Sequence, residues 1–122
     1  MKTYPLDDFP LPSPTRMWQT ICAKGDLPSH AGVCVLLNEQ HVAIFFCART
    51  DSLYAVDNFD PIGKASVLSR GIIGSMGDVA VVASPLFKQH FNLKTGQCIE
   101  QPDILLKTYP IRCQQGWVQV AV

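Results

Sequence analysis

Beyond residue 16 the chain is cut into short runs of β-branched and aromatic residues, and turn signals recur about every 8 to 12 residues. No stretch sustains the 3.6-residue apolar period of an amphipathic helix. That pattern excludes helical bundles and alternating strand–helix units. It predicts an all-β domain, a sandwich or small, partly open barrel of short antiparallel strands.

The runs can be placed one by one. Residues 17–23 form a first strand, ended by Lys24-Gly25-Asp26. Residues 32–37 and 41–48 flank Asn38-Glu39-Gln40 and read as a hairpin, with residues 52–57 following after Arg49-Thr50-Asp51. Residues 78–83 are continuously apolar, which suits a strand buried on both faces. Residues 91–93 and 97–99 read as a tight hairpin about Lys94-Thr95-Gly96, and residues 107–113 and 117–122 as a last one about Gln114-Gln115-Gly116. Residues 64–69 alone look able to make a helical turn. Gly71, Gly74 and Gly77 do not form GxGxxG, and they read as turn glycines. Trp18 and Trp117 are expected in the core near the two ends of the chain.

With 122 residues there is room for one domain and a real core. Pro5, Pro10, Pro12 and Pro14 break the start of the chain, so residues 1–15 are expected to be an irregular arm ahead of a domain over residues 16–122. Ten basic and ten acidic residues cancel, which leaves no basic footprint for nucleic acid or anionic lipid. A small domain near zero charge associates readily, which points to life beside another subunit. No apolar run approaches the ~20 residues that span a bilayer, and the first fifteen residues hold no apolar signal core. The five cysteines are scattered without a CxxC pair; Cys22, Cys34, Cys47 and Cys113 have apolar or β-branched neighbours. Reduced, buried thiols in the cytoplasm are the expectation.

Two segments then carry a resemblance. Leu53-Tyr54-Ala55-Val56-Asp57-Asn58 leads into a loop ending at Arg70-Gly71, and Val81-Val82-Ala83-Ser84-Pro85-Leu86-Phe87-Lys88-Gln89-His90 runs on into Phe91-Asn92-Leu93-Lys94-Thr95-Gly96. Together with Trp18 and its strand, this order resembles the Rieske ferredoxin family over residues 17–122. In that family one loop carries Cys-Pro-His and a second Cys-Pro-x-His, and these four side chains hold a [2Fe-2S] cluster. Here the loops read Asp60-Pro61-Ile62 and Ser84-Pro85-Leu86-Phe87. Both prolines persist, and all four ligand positions, Asp60, Ile62, Ser84 and Phe87, are replaced. Ile62 and Phe87 offer no lone pair, and hard oxygen donors suit such a cluster poorly.

Asp57 to Gly71 further resembles the cluster-less small subunits of NADH-dependent nitrite reductases. That resemblance implies a large partner subunit bearing FAD, siroheme and a [4Fe-4S] cluster, which uses NADH to reduce nitrite to ammonium in nitrate assimilation. The small chain would hold no cofactor, catalytic residue or metal of its own. Losing the cluster should free the two loops unless something closes the gap. Ile62 and Phe87 are expected to plug it with an apolar contact. Phe59, Ile62 and Phe87, rimmed by Lys64, Lys88 and His90, also look like a docking patch. Two other readings stand beside this one: an electron carrier with unorthodox ligands such as Asp60, His90 and Cys98, and a free-standing binding module on the same fold.

Overall fold

The computed structural model of the chain describes residues 17–122. The proline-rich arm expected over residues 1–15 lies outside the described residues. Eleven strands follow: β1 Trp18–Ala23, β2 Gly32–Leu37, β3 Gln40–Cys47, β4 Ser52–Asp57, β5 Phe59–Asp60, β6 Ala65–Ser66, β7 Ile72–Met76, β8 Val79–Ala83, β9 His90–Asn92, β10 Ile111–Gln114 and β11 Trp117–Ala121. They form three three-stranded sheets, β1-β11-β10, β2-β3-β4 and β7-β8-β9, with β5-β6 as a separate short ribbon. Every pairing within these sheets is antiparallel, and no barrel closes. The all-β expectation is met.

The middle sheet is the structural centre because β3 is buried on both faces. Val42, Ala43, Ile44 and Phe45 are all fully buried, and a strand sends successive side chains to opposite sides. Ala43 and Phe45 join Val56, Leu68, Val82, Phe91, Leu93, Cys98 and Leu106 in one cluster, toward β7-β8-β9. Val42 and Ile44 join Leu37, Ala55, Tyr109 and Val120 in the other, toward β1-β11-β10. Each large side chain fully buried there contributes about 1.5–3 kcal/mol. The doubly buried strand is thus β3; in β8 only Val81 and Val82 are buried, and the flanking residues are half-exposed.

Several expectations shift in detail. The turn of the β2–β3 hairpin has only two residues, Asn38 and Glu39, both at positive φ (48° and 65°), and Gln40 already pairs with Leu37. Gln115 (53°) and Gly116 (84°) do the same between β10 and β11, the conformation that matches strand twist in a two-residue loop. The expected hairpin at residues 91–99 shrinks to an isolated bridge, Phe91 with Cys98. Gly74 lies within β7, a strand the apolar pattern missed, while Gly77 does turn the chain at φ 65°. Residues 64–69 are no helix: Ala65–Ser66 pairs with Phe59–Asp60, and one 3-10 turn spans Leu68–Arg70.

Trp18 and Trp117 are exposed, and the Arg112 guanidinium stacks 4.0 Å above the Trp18 ring. Alternation also corrects the thiols. Cys47 and Cys98 are buried, Cys22 is intermediate, and Cys34 and Cys113 are exposed. Cys34 lies on β2, an edge strand, and points away from the cores that its neighbours in sequence suggested.

Candidate functional site

The site is assembled from Asn58 outward. This side chain is nearly fully buried, and its Nδ2 donates to Ser66 Oγ at 2.8 Å. Its Oδ1 accepts from the Ser69 backbone N–H at 2.6 Å, and its carbonyl accepts from the backbone N–H groups of Val67 and Leu68. One residue therefore ties both ends of the excursion between β4 and β7. In the sequence Asn58 marks only the point where the strand leads into the loop. The signal available was an Asn placed directly between two apolar strands and a polar loop.

From there Phe59–Asp60 leads into the first loop. The backbone N–H of Lys64 donates to the Asp60 carbonyl at 2.7 Å, which closes a five-residue turn over Asp60-Pro61-Ile62-Gly63-Lys64. The second loop repeats the construction: the Lys88 N–H donates to the Ser84 carbonyl at 3.0 Å and closes Ser84-Pro85-Leu86-Phe87-Lys88. Lys64 and Lys88 both end their turns at positive φ, 63° and 59°.

The two turns are joined by their first residues. Asp60 is fully buried and Ser84 is 1% exposed. The Ser84 hydroxyl donates to Asp60 Oδ2 at 2.5 Å, and Asp60 Oδ1 accepts from the backbone N–H groups of Ile62 (2.8 Å) and Gly63 (3.0 Å). Ser84 Oγ in turn lies 3.3 Å from the Leu86 N–H. A short bond to a carboxylate is among the strong hydrogen bonds of proteins. Across the same seam Gly63 sits so close to Leu86 that a Cβ at Gly63 would collide with that side chain.

The expected apolar plug is not what spans the gap. Ile62 is half-buried and packs onto the core cluster that contains Phe45 and Phe91, whereas Phe87 is 65% exposed. The reason lies in the turns. The first residue of each faces the other loop, while Phe87, one residue before the chain turns back, stands in solvent. Phe59 (42%) and Leu86 (43%) are exposed as well, and so are Lys64 and Lys88. His90 is committed to Glu100: its backbone N–H donates to Oε1 at 2.8 Å and its Nδ1 lies 2.5 Å from Oε2. Burial pushes the Glu100 carboxyl up, but the His90 backbone and ring contacts outweigh it and hold the group below the ordinary value of 4.5. Cys98 is fully buried, and its thiol points at Gln89 Oε1, 3.6 Å away. The Cys98 thiol also lies 3.8 Å from Glu100 Oε1, the oxygen that accepts from the His90 N–H. Cys98 and His90 thus share a partner, while Asp60 is held apart by Ser84, Ile62 and Gly63.

Three surface clefts of about 360, 700 and 450 Å³ lie on other parts of the molecule, and no residue of 59–64 or 84–88 lines any of them. The tip presents Phe59, Lys64, Leu86, Phe87 and Lys88 as exposed surface.

Residues 17–121 match the family model described as Rieske-like [2Fe-2S] domain. The nitrite reductase (NADH) small subunit of Escherichia coli strain K12 is 42% identical over 103 residues, covering 84% of this chain and 95% of that protein. The chain belongs to the Rieske-like domain family, among the small subunits of NADH nitrite reductase. The NMR structure of the E. coli protein NirD superposes with a TM-score of 0.80 at 40% identity, covering 88% of this chain and 97% of that one. The nitrite reductase NAD(P)H large subunit of Klebsiella oxytoca also contains such a stretch: it is 36% identical over 107 residues, 88% of this chain but 11% of that protein.

The family's description names a [2Fe-2S] cluster, and the donor set decides whether this chain can hold one. Two thiolates and two imidazoles are required. Ile62 and Phe87 carry no donor atom. The Asp60 oxygens are taken up by two backbone amides and a hydroxyl, and the two side chains at the former thiolate positions bond directly to each other. Among the described residues no three His, Cys, Asp or Glu converge as a metal site. These residues do not fit the cluster. Nor is any helix among the described residues long and apolar enough to cross a membrane.

Proposed function

We propose that this chain is the non-catalytic small subunit of a cytoplasmic, NADH-dependent assimilatory nitrite reductase. In this reading it binds and supports a large subunit that carries FAD, siroheme and a [4Fe-4S] cluster and reduces nitrite to ammonium. The observation that carries the reading is the sealed tip. Both loops keep the framework of a redox domain, but a hydrogen-bonded Asp60–Ser84 pair stands where metal ligands would be. A domain so built acts through its surface. The likeness of the Klebsiella large subunit to this chain over 107 residues supports an arrangement in which the domain lies against the large chain.

The docking face of this proposal comprises Phe59, Ile62, Lys64, Phe87, Lys88 and His90, an aromatic centre with a charged border. Neither nucleic acid nor membrane enters the proposal. The test is reconstitution. Large subunit purified alone and with this chain is assayed for nitrite-dependent NADH oxidation, and Phe87→Asp is compared with Gln114→Asp on β10. The expected result is activity that depends on the small chain and is lost with Phe87→Asp only. Stoichiometric iron and sulfide in the pure, folded small chain would overturn the non-redox role. Unchanged activity in the large subunit alone would overturn the supporting one.

A further inference from the structure

The two tip turns share one design, and its last position is unusual. A helical turn closed by a five-residue hydrogen bond normally ends in glycine, because the closing residue adopts a left-handed backbone. The same molecule does this at Asn92–Gly96, where the Gly96 N–H donates to the Asn92 carbonyl at 2.7 Å and Gly96 has φ 83°. At the tip both closing residues are lysine, at 63° and 59°. A long cationic side chain is thus held twice in a conformation that costs energy relative to glycine. Other non-glycine residues share this conformation, namely His30, Asn38, Glu39, Asp51 and Gln115. What sets the tip apart is that the equivalent position of two facing turns is lysine both times.

The charges at this surface are one-sided. Within residues 60–64 and 84–88 the only acidic group is Asp60, which is fully buried and whose oxygens are satisfied by Ile62, Gly63 and Ser84. Lys64 and Lys88 are exposed and pair with no acid among the described residues, whose only ion pairs are Lys24–Asp51 and His90–Glu100. Pro61 and Pro85 fix the entry of each turn, and the Asp60–Ser84 bond fixes one turn against the other.

We infer that the tip recognises an acidic surface element of the large subunit, through Lys64 and Lys88 presented at a spacing set by the Asp60–Ser84 hydrogen bond. The inference rests on the subunit reading above and adds the chemistry of the contact. Carboxylates on the partner would meet the two ammonium groups while Phe59, Leu86 and Phe87 supply apolar contact between them. Asp60 and Ser84 are positioning residues.

Binding of the purified large subunit to the immobilised small chain would be measured at low and moderate salt. The variants are K64E/K88E, K64G/K88G and the control R49E/K94E, which makes the same net charge change elsewhere. K64E/K88E should weaken binding at least about tenfold, the equivalent of roughly 1.4 kcal/mol, and flatten its salt dependence. The control should stay within about twofold, since distant exposed charges are screened. K64G/K88G should unfold at higher denaturant than the natural chain yet bind more weakly, which a purely structural role for the lysines would not produce. If K64E/K88E binds like the natural chain, or no worse than the control, the inference is overturned and the subunit reading stands. If the natural chain itself fails to bind, the subunit reading falls and this inference with it.

Discussion

Replacing Ser84 by alanine tests whether a hydrogen bond has taken over the task of holding the two loops together. The substitution removes one oxygen from a site that is 1% exposed, so almost no apolar burial changes. What disappears is the 2.5 Å donation to Asp60 Oδ2, together with the acceptor facing the Leu86 N–H. A hydrogen bond to a charged group is worth about 1.5–3 kcal/mol, and here the carboxylate is left fully buried with one oxygen unpaired. The expected loss is about 2 kcal/mol. With a urea m-value of about 1.5 kcal/mol/M for a domain of this size, the unfolding midpoint should fall by roughly 1.3 M. Tryptophan fluorescence during equilibrium urea unfolding at pH 7 reads this directly, with Ser75→Ala on the exposed strand β7 as the comparison. A double-mutant cycle with Asp60→Asn should return a coupling of at least about 1 kcal/mol. A midpoint drop below about 0.3 M, or no coupling, would refute the idea that this pair fastens the tip.

Three further outcomes are expected. Gly71→Ala should destabilise by about 1–3 kcal/mol in the same assay, because a Cβ there would run into the Ala83 carbonyl oxygen and the Val82 side chain. The Glu100 carboxyl has a lowered folded-state pKa, so its pairing with His90 stabilises the fold above the ordinary value of 4.5 and is lost as pH falls below it. Glu100→Gln should therefore flatten the fall in unfolding midpoint between pH 6 and about pH 3.5, and an unaltered slope would contradict this. Thiol titration of the folded protein should label Cys34 and Cys113 quickly and Cys22 more slowly, with Cys98 reacting only on unfolding. Fast reaction of Cys98 would mean the core cluster around Phe91 opens readily.

How much of this could be read from residues alone depends on which physical signal each feature left. The two-residue hairpins and the central strands left strong ones, in turn chemistry and in an unbroken apolar run. The run at residues 42–45 looks locally much like the one at 79–83. Whether such a strand is covered on both faces depends on what packs over it, and β3 sits at the centre of the sheet that lies between the two core clusters. Trp18 and Trp117 misled for the same reason: an aromatic residue has the same sequence signature on either face of an edge sheet. Cys34 was misplaced because a small apolar neighbourhood does not reveal which side of β2 faces solvent. The short strand β7, with Gly74 and Ser75 at its centre, had too little apolar content to stand out.

The tip posed a different problem. The missing iron ligands were plain from Asp60, Ile62, Ser84 and Phe87, but the substitute closure was not. Two apolar residues at two former ligand positions suggested an apolar plug, since matched hydrophobic replacements are the simplest way to fill a vacated site. The fold instead pairs the two short polar side chains. Asp60 and Ser84 each open a turn and face inward, close enough for one hydrogen bond, whereas Phe87 comes late in its turn and is directed outward. The geometry of the turn decides which side chains can meet, and hydrophobicity alone does not. The same geometry places both lysines at the closing positions of their turns. One arrangement therefore both ties the two loops together and exposes the aromatic, cationic surface that we propose as the docking face.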